Sequence, residues 1–385
     1  MNAATPSLLV TEAVNRLLSE SELPATLTID DCAAELAMSM TSFRRKLSLE
    51  DTSFKLIQNK FLNELCVRAL LTLHTKIEDL AIKLGYSERA TFERAFRSKF
   101  GVTPSQFREL SLAGNIDSNH QKLTEIAENM PPLPSSCQQL LEHRELGNLD
   151  LKKVANIVSQ DVIFSGRIMG QASKAIYGKT PIDLKEAISR NLGINTVINY
   201  ALVFAFKDSI QEQVEPNILD RYSAAFLLAP KLFQSVRRSL VTKPQFDIAV
   251  TEQILMFSLL GIFLLTHKQT YKHEMMRFAL QGIEDLHSLN LHVRSSMAIS
   301  VFGASALILS MWHIDASLVK QLSHLDKVSQ SNIKGNEQDE IVLFMLSCLY
   351  FAATGHNNFD DLEQKSTILG IQNFDEIKQL LLTLS

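Results

Sequence analysis

The sequence predicts an all-α protein built from more than one domain, and three observations carry that expectation. At 385 residues the chain is long enough for two or three domains, each with a sizeable core. Glycine and proline number only 14 and 10, Leu, Ala, Ser and Met are plentiful, and few segments alternate with period two. One short helical pattern also occurs twice within the first hundred residues.

The opening stretch, MNAATPSLLVTEAVNRLLSE, spaces its apolar residues as a helix does and has no basic segment leading into an apolar run. No export signal is read there. The repeat follows. Ile29–Ser39 lies over Ile77–Ser87, with Ile29 on Ile77, Asp31 on Asp79, Ala33 on Ala81, Leu36 on Leu84 and Ser39 on Ser87. After one inserted residue, Phe43 meets Phe92, Arg45 meets Arg94 and Leu47 meets Phe96. Each copy predicts a short helix, a tight turn and a second helix. Thr28 with Asp31, and Thr75 with Glu78, have the spacing of a capping box. Ala33 and Ala81 are small where two helices must cross. Gly85 suits a turn with positive φ, and Ser39 and Ser87 suit the N-caps of the second helices.

Between the copies, Leu56, Ile57, Phe61, Leu65, Ala69 and Leu73 predict one continuous helix over Phe54–Leu73. At about 20 residues it would be about 30 Å long, enough to hold two recognition helices roughly one DNA turn apart. A closing helix starts at Thr103-Pro104, where Thr103 and Gln106 again have capping-box spacing and Pro104 takes the first helical position.

The second copy, IEDLAIKLGYSERATFERAFRSKFGVTPSQFR, resembles the signature of the AraC/XylS transcription-factor family, and Leu27–Phe54 resembles that family's first helix-turn-helix. The likeness covers roughly residues 8–110, and it implies a seven-helix module whose two recognition helices enter adjacent major grooves of double-stranded DNA. Carried over by position, the base-facing sites of the first recognition helix are Thr41, Arg44 and Arg45. Those of the second are Arg89, Ala90, Thr91, Glu93 and Arg94. Arginine can donate two hydrogen bonds to guanine, and Thr can read a thymine methyl or a phosphate. Lys46, Arg97 and Lys99 are placed at phosphates. The competing reading of the arginines is a solvated helix face with ion pairs to Glu88 and Glu93. The family commonly carries this module at the C-terminus, whereas here it leads the chain.

Net charge is −4, which by itself disfavours a nucleic-acid partner. Its distribution matters more. Residues 1–112 carry 14 basic and 14 acidic groups, so the acid excess lies entirely in the remainder.

The polar stretch after Leu112 predicts a linker over 113–122 between a DNA-binding domain at 1–112 and a second domain at 123–325. That second domain opens on Pro131, Pro132 and Pro134, followed by amphipathic helices punctuated at Gly147, Gly178 and Gly193. Leu133-Pro134, Asp161, Ser173, Tyr177-Gly178, Ala187-Ile188 and Leu192-Gly193 resemble the start of an HDOD domain, a non-catalytic relative of the HD phosphohydrolases. Asp161-Val162 and Ala172-Ser173 stand where that family has Asp-Pro and Asn-Ser. The likeness holds again around Ser258–Phe263 and Ser305–Trp312. Residues 326–385 read as a helical C-terminal extension.

An HD hydrolase holds divalent metal on His and Asp, including an adjacent His-Asp pair. No His-Asp dipeptide occurs in this chain, and the corresponding stretch reads LLGIF, Leu259–Phe263. His267 with His273, and His287 with His292, lack the i, i+4 spacing of two ligands on one helical face. Neither GxGxxG nor GxxxxGKS is present. Cys32, Cys66, Cys137 and Cys348 are scattered, which fits buried thiols better than a disulfide framework or a zinc knuckle. The apolar runs Ile254–Leu265, Met297–Trp312 and Ile341–Ala353 are shorter than the roughly 20 residues that cross a bilayer and read as core helices. The resulting expectation is a cytoplasmic, non-enzymatic transcriptional regulator with no cofactor, metal or membrane partner. Its HDOD-like domain would receive a protein partner or a small-molecule effector. Paired half-sites would favour a homodimer. The alternative is an HDOD signalling scaffold that works through protein contacts with weak or no specific DNA binding.

Overall fold

The computed structural model describes residues 9–50, 52–71, 75–111, 125–126, 133–268, 285–297, 299–312, 314, 316–356 and 358–384. Among these residues the fold is all-helical; the only sheet-like pairing is an isolated antiparallel bridge between Leu240 and Ile371. The chain divides into two compact units, one ending at Arg108 and the other starting at Glu109. The segment expected as a linker, 113–122, lies outside the described residues, as do Pro131, Pro132 and His273.

Seven helices form the first unit, the last of them running just past its limit: α1 (Val10–Glu20), α2 (Ile29–Glu35), α3 (Met40–Leu49), α4 (Phe54–Leu70), α5 (Ile77–Lys83), α6 (Arg89–Phe100) and α7 (Pro104–Ser111). Val10, Val14 and Leu18 of α1 meet Cys32 and Ala33 of α2, Phe43 and Leu47 of α3, and Phe54 and Ile57 of α4 in one apolar core. The second half is held by aromatic rings. Phe96 stacks on Phe100 at 4.3 Å between centroids and meets Phe107 edge-on at 5.8 Å.

Local chemistry explains most helix starts. Thr28 and Asp31 form the expected capping box on α2. On α7, Gln106 N–H donates to Thr103 Oγ1 at 3.2 Å and Thr103 N–H donates to Gln106 Oε1 at 2.9 Å. Two expected caps are corrected. The N-cap of α5 is Lys76, with no side-chain cap bond, and not Thr75. The Glu78 carboxylate that a capping box would use is engaged instead by the Arg89 guanidinium. The N-cap of α6 is Glu88 and not Ser87, because the residue inserted in the second copy moves the helix start along by one. α4 is also shorter than expected, with 17 residues and its C-cap at Leu71. Leu73 lies outside the described residues. Leu56, expected on the apolar face, is 62% exposed, because Phe54 and Ile57 set the buried side of that turn.

The second unit begins with α8 (Ser135–Glu145), α9 (Leu151–Gln160), α10 (Val162–Ala172) and a short turn, α11 (Leu184–Glu186), that continues as a π-helical turn over Ala187–Leu192. Two long helices, α12 (Ile194–Ile210) and α13 (Pro216–Ser239), follow and pack on each other. Then come α14 (Ile248–Phe257), α15 (Gly261–Leu265), α16 (Leu286–Met297), α17 (Val301–Met311), α18 (Ala316–Ser329), α19 (Glu337–Thr354), α20 (Asp360–Ile368) and α21 (Phe374–Leu382). The sequence-based limit at residue 325 falls inside α18, and α19 packs along α13.

The three apolar runs are mostly core. Ile248–Leu265 is long and apolar enough to cross a membrane by composition, yet 78% of it is buried within the unit. The run expected over Met297–Trp312 is not one helix: α16 ends at Met297 and Ser300 caps α17, with a bend of 73° between them. All four cysteines are buried and unbridged. Burial raises their thiol pKa, to about 12 at Cys66 and at Cys137.

Candidate nucleic-acid interface

Each recognition helix is positioned by a buried stripe on its inner side. In α3, Phe43 and Leu47 are 0% and 1% exposed, four residues apart and so on one face. Thr41, Arg44, Arg45 and Lys46 are left exposed to solvent. Ser39 caps the helix, its Oγ accepting from Ser42 N–H at 3.3 Å.

In α6 the inner stripe is Phe92, Phe96 and Phe100, all buried. Ala90, Arg94 and Arg97 stand on the opposite side at spacings of four and three, exposed, with Lys99 also exposed. Thr91 and Glu93 are half-buried. The helix does not present every expected reader alike. Arg89 is exposed but bound, its guanidinium pairing with Glu93 at 2.7 Å and with Glu78 of α5. Glu93 therefore serves as its partner. Arg94 Nη2 lies 3.3 Å from Thr91 Oγ1, which brings those two candidates together.

These pairs redistribute a balanced charge. Arg44, Arg45, Arg94 and Arg97, for which pairing to Glu88 and Glu93 was the competing expectation, make no ion pair with any described residue, and Glu93 pairs with Arg89 instead. Two carboxylates of this unit are used as helix caps. Asp31 caps α2, and Glu50 accepts from Val10 N–H and Thr11 N–H at 2.9 Å each and from the Thr11 hydroxyl at 2.6 Å, capping α1. Arg44 and Arg45 on α3 and Arg97 on α6 are thus left without an ion-pair partner among the described residues, and such cations attract a phosphate backbone.

Two supporting residues escaped sequence reasoning. One is Glu50. The other is Arg108 of α7, which donates from Nε to Leu70 O at 3.0 Å and from Nη2 to Thr75 O at 2.7 Å, satisfying carbonyls around the end of α4. Neither contact has a local signal, since partners lie more than thirty residues away.

In the second unit, Asp161 caps α10 by accepting from Phe164 N–H at 2.9 Å. Tyr177 and Tyr200 share a hydroxyl contact, and Tyr200 donates on to Leu227 O at 2.7 Å. Ala187 and Ile188 are fully buried. Leu259–Phe263, where an HD enzyme would place its ligand pair, is buried at the crossing of α15 and α17. Any side chain at Gly261 would run into Val301 O and the Ala304 methyl. Gly261 N–H donates to Ser305 Oγ at 2.8 Å, and Ser305 Oγ donates in turn to Ser258 O at 2.7 Å. Among the described residues, no three His, Cys, Asp or Glu side chains gather as metal ligands. His287 Nδ1 lies 2.9 Å from Ser329 O, and burial lowers the His267 pKa.

Comparison with known proteins identifies the class of both units. Residues 130–327, more than half of the chain, match the HDOD domain, and the chain belongs to that family. Residues 32–110 match a helix-turn-helix domain of the AraC type. Over 93 residues the chain is 33% identical to an uncharacterized HTH-type transcriptional regulator of Mycobacterium tuberculosis, covering 24% of this chain and 26% of that protein. It is 32% identical over 81 residues to the ornithine utilization regulator of Pseudomonas aeruginosa, covering 21% of this chain and 24% of that one. The chain thus spans about a quarter of the length of these curated relatives. Among solved structures it is similar to a candidate metal-dependent phosphohydrolase of Shewanella amazonensis, at 17% identity and a TM-score of 0.46, covering 69% of this chain and 99% of that one. A likeness at that level says nothing about reaction or ligand.

Proposed function

We propose that this protein is a sequence-specific DNA-binding transcriptional regulator in which the HDOD unit receives a signal or partner and controls the AraC-type reader. The observation that carries the reading is the pair of recognition helices, each with an apolar stripe inward and arginines at matched positions, Arg45 and Arg94, outward. In this reading Arg44, Arg45 and Arg94 contact base edges, with Thr41, Ala90 and Thr91 beside them. Lys46, Arg97 and Lys99 contact phosphates, and Arg89 reads DNA only after exchanging Glu78 and Glu93 for it. The similarity to HTH-type regulators supports this assignment, and such a role belongs in the cytoplasm. The close crossing at Gly261 favours a non-enzymatic HDOD unit, because it fills with backbone the place a metal pair would occupy.

Bound sites mapped genome-wide would supply the operator for a gel-shift titration. Arg45→Ala and Arg94→Ala should each cost about 1–3 kcal/mol of specific affinity. Unchanged affinity with both replaced would sink the reading. Lys46→Ala should instead weaken binding to all sequences and flatten its salt dependence. Operator binding that scarcely responds to salt would favour the signalling scaffold.

A further inference from the structure

Within the second unit, α10, α12 and α13 enclose a cleft of about 380 Å³ that no part of the sequence reading singled out. That volume lies in the range of small-molecule sites, about 300–1,000 Å³. Phe204 and Leu227 give it apolar walls, and Arg167, Lys174 and Lys207 bring three cations to it.

The cations are not equivalent. Arg167 is committed to Asp208 through two hydrogen bonds, at 2.6 and 2.9 Å, and its guanidinium lies 5.3 Å from the Phe204 ring centroid. Lys207 Nζ is paired with Asp220 at 2.7 Å. Lys174 alone has no side-chain partner among the described residues. The residue is exposed, and partial desolvation by the protein lowers its pKa. A second group is also left over. Ser223 is 3% exposed, lines the same cleft, and its buried hydroxyl has no hydrogen-bond partner among the described residues. A buried hydroxyl without a partner is costly, so Ser223 gains from a polar ligand, and Lys174 offers that ligand an unpaired cation.

Counting the three cations against Asp208 and Asp220 leaves a single positive charge. A monoanion neutralises it. A phosphate dianion would overshoot and face two carboxylates. We propose that this cleft binds a small organic monoanion, a carboxylate on an apolar or aromatic body. Lys174 pairs with the carboxylate, the Ser223 hydroxyl bonds to the ligand's polar atoms, and Phe204 and Leu227 pack against its body. The inference rests on the signal-receiving role given to the HDOD unit and supplies that role with a ligand class.

The test is calorimetric titration of the full-length protein with phenylacetate, indole-3-acetate and octanoate, each beside its neutral amide, and with inorganic phosphate. At least one carboxylate is expected to bind with a Kd below about 1 mM, and its amide at least about tenfold more weakly. Lys174→Gln should weaken that carboxylate about tenfold or more, and Ser223→Ala about threefold or more. Four results would overturn the proposal: no binding of any of the three carboxylates, amides binding as tightly as acids, Lys174→Gln leaving affinity unchanged, or phosphate binding as tightly as the carboxylates. Gel shifts on the same preparations keep the two readings apart. Protein that binds DNA and no carboxylate loses only this inference, and protein that binds a carboxylate and no DNA loses only the DNA-binding reading.

Discussion

Ala37 and Gly85 occupy the same place in the two copies of the repeat, the turn between the paired helices, and both have positive φ, at 50° and 82°. Gly85 was legible as a turn residue from its type. Ala37 was not, because alanine there breaks the local rule and only its alignment with Gly85 hints at the conformation. A left-handed alanine costs about 1–2 kcal/mol, and the flexibility of glycine takes back about 0.5–1. Ala37→Gly should therefore stabilise the first unit by about 0.5–1 kcal/mol. Gly85→Ala should destabilise it by about 2 kcal/mol or more, since its methyl would also lie 2.8 Å from the Ala25 Cβ. Thermal melts of the two variants should move in opposite directions; a shift of the same sign would contradict the turn geometry. At the same scale, arginines that look alike in sequence differ in the fold. Arg89 is held by two carboxylates, whereas Arg45 is held by none among the described residues.

At the scale of elements, the repeat made α2, α3, α5 and α6 readable, because the apolar stripe and most capping residues lie within a few positions of one another. The start of α1 depends on a distant group, Glu50 at the end of α3. Burial would raise the pKa of its carboxyl, but hydrogen bonds from Thr11 and Val10 and the charge of Lys46 outweigh that, and the net shift is downward from 4.5. A depressed carboxylate contributes stability above its unfolded pKa and loses it as pH falls through the lower folded value. The first unit should accordingly hold its stability above about pH 4.5 and lose this contribution progressively at more acid pH. Glu50→Gln should cost about 1 kcal/mol near neutrality, typical of a lost cap, and should flatten the acid limb of the stability profile. An acid limb that stays as steep in the variant would remove Glu50 as its source.

Across the whole molecule, the residues that sequence reading set apart as a C-terminal extension are woven into the second unit. Asp326, read as the first residue of that extension, is 3% exposed and pairs with Arg294. Burial raises its pKa, opposed by the Arg294 charge. Beyond it, α19 buries Ile341, Phe344, Met345, Leu349 and Tyr350 and lies along α13. Deleting residues 337–385 should uncover the apolar side of α13 and abolish cooperative unfolding of the second unit, as followed by circular dichroism. A truncated protein that kept a sharp transition would show that these helices are an appendage.

Sequence by itself determined the helical class, the duplicated reader, the inward and outward sides of α3 and α6, and the HDOD character of the second half. The helical class and the repeat are written in periodicity and caps, which act over a few residues, whereas the outward residues and the HDOD character came from resemblance to families through motif order. Tertiary structure alone decided which charges remain available and where space is left. Pairing of Arg89 with Glu78, capping of α1 by Glu50, burial of Asp326 and the cleft between Lys174 and Ser223 each join residues far apart in the chain. Electrostatics and packing depend on distance through space, and no spacing along the sequence encodes it.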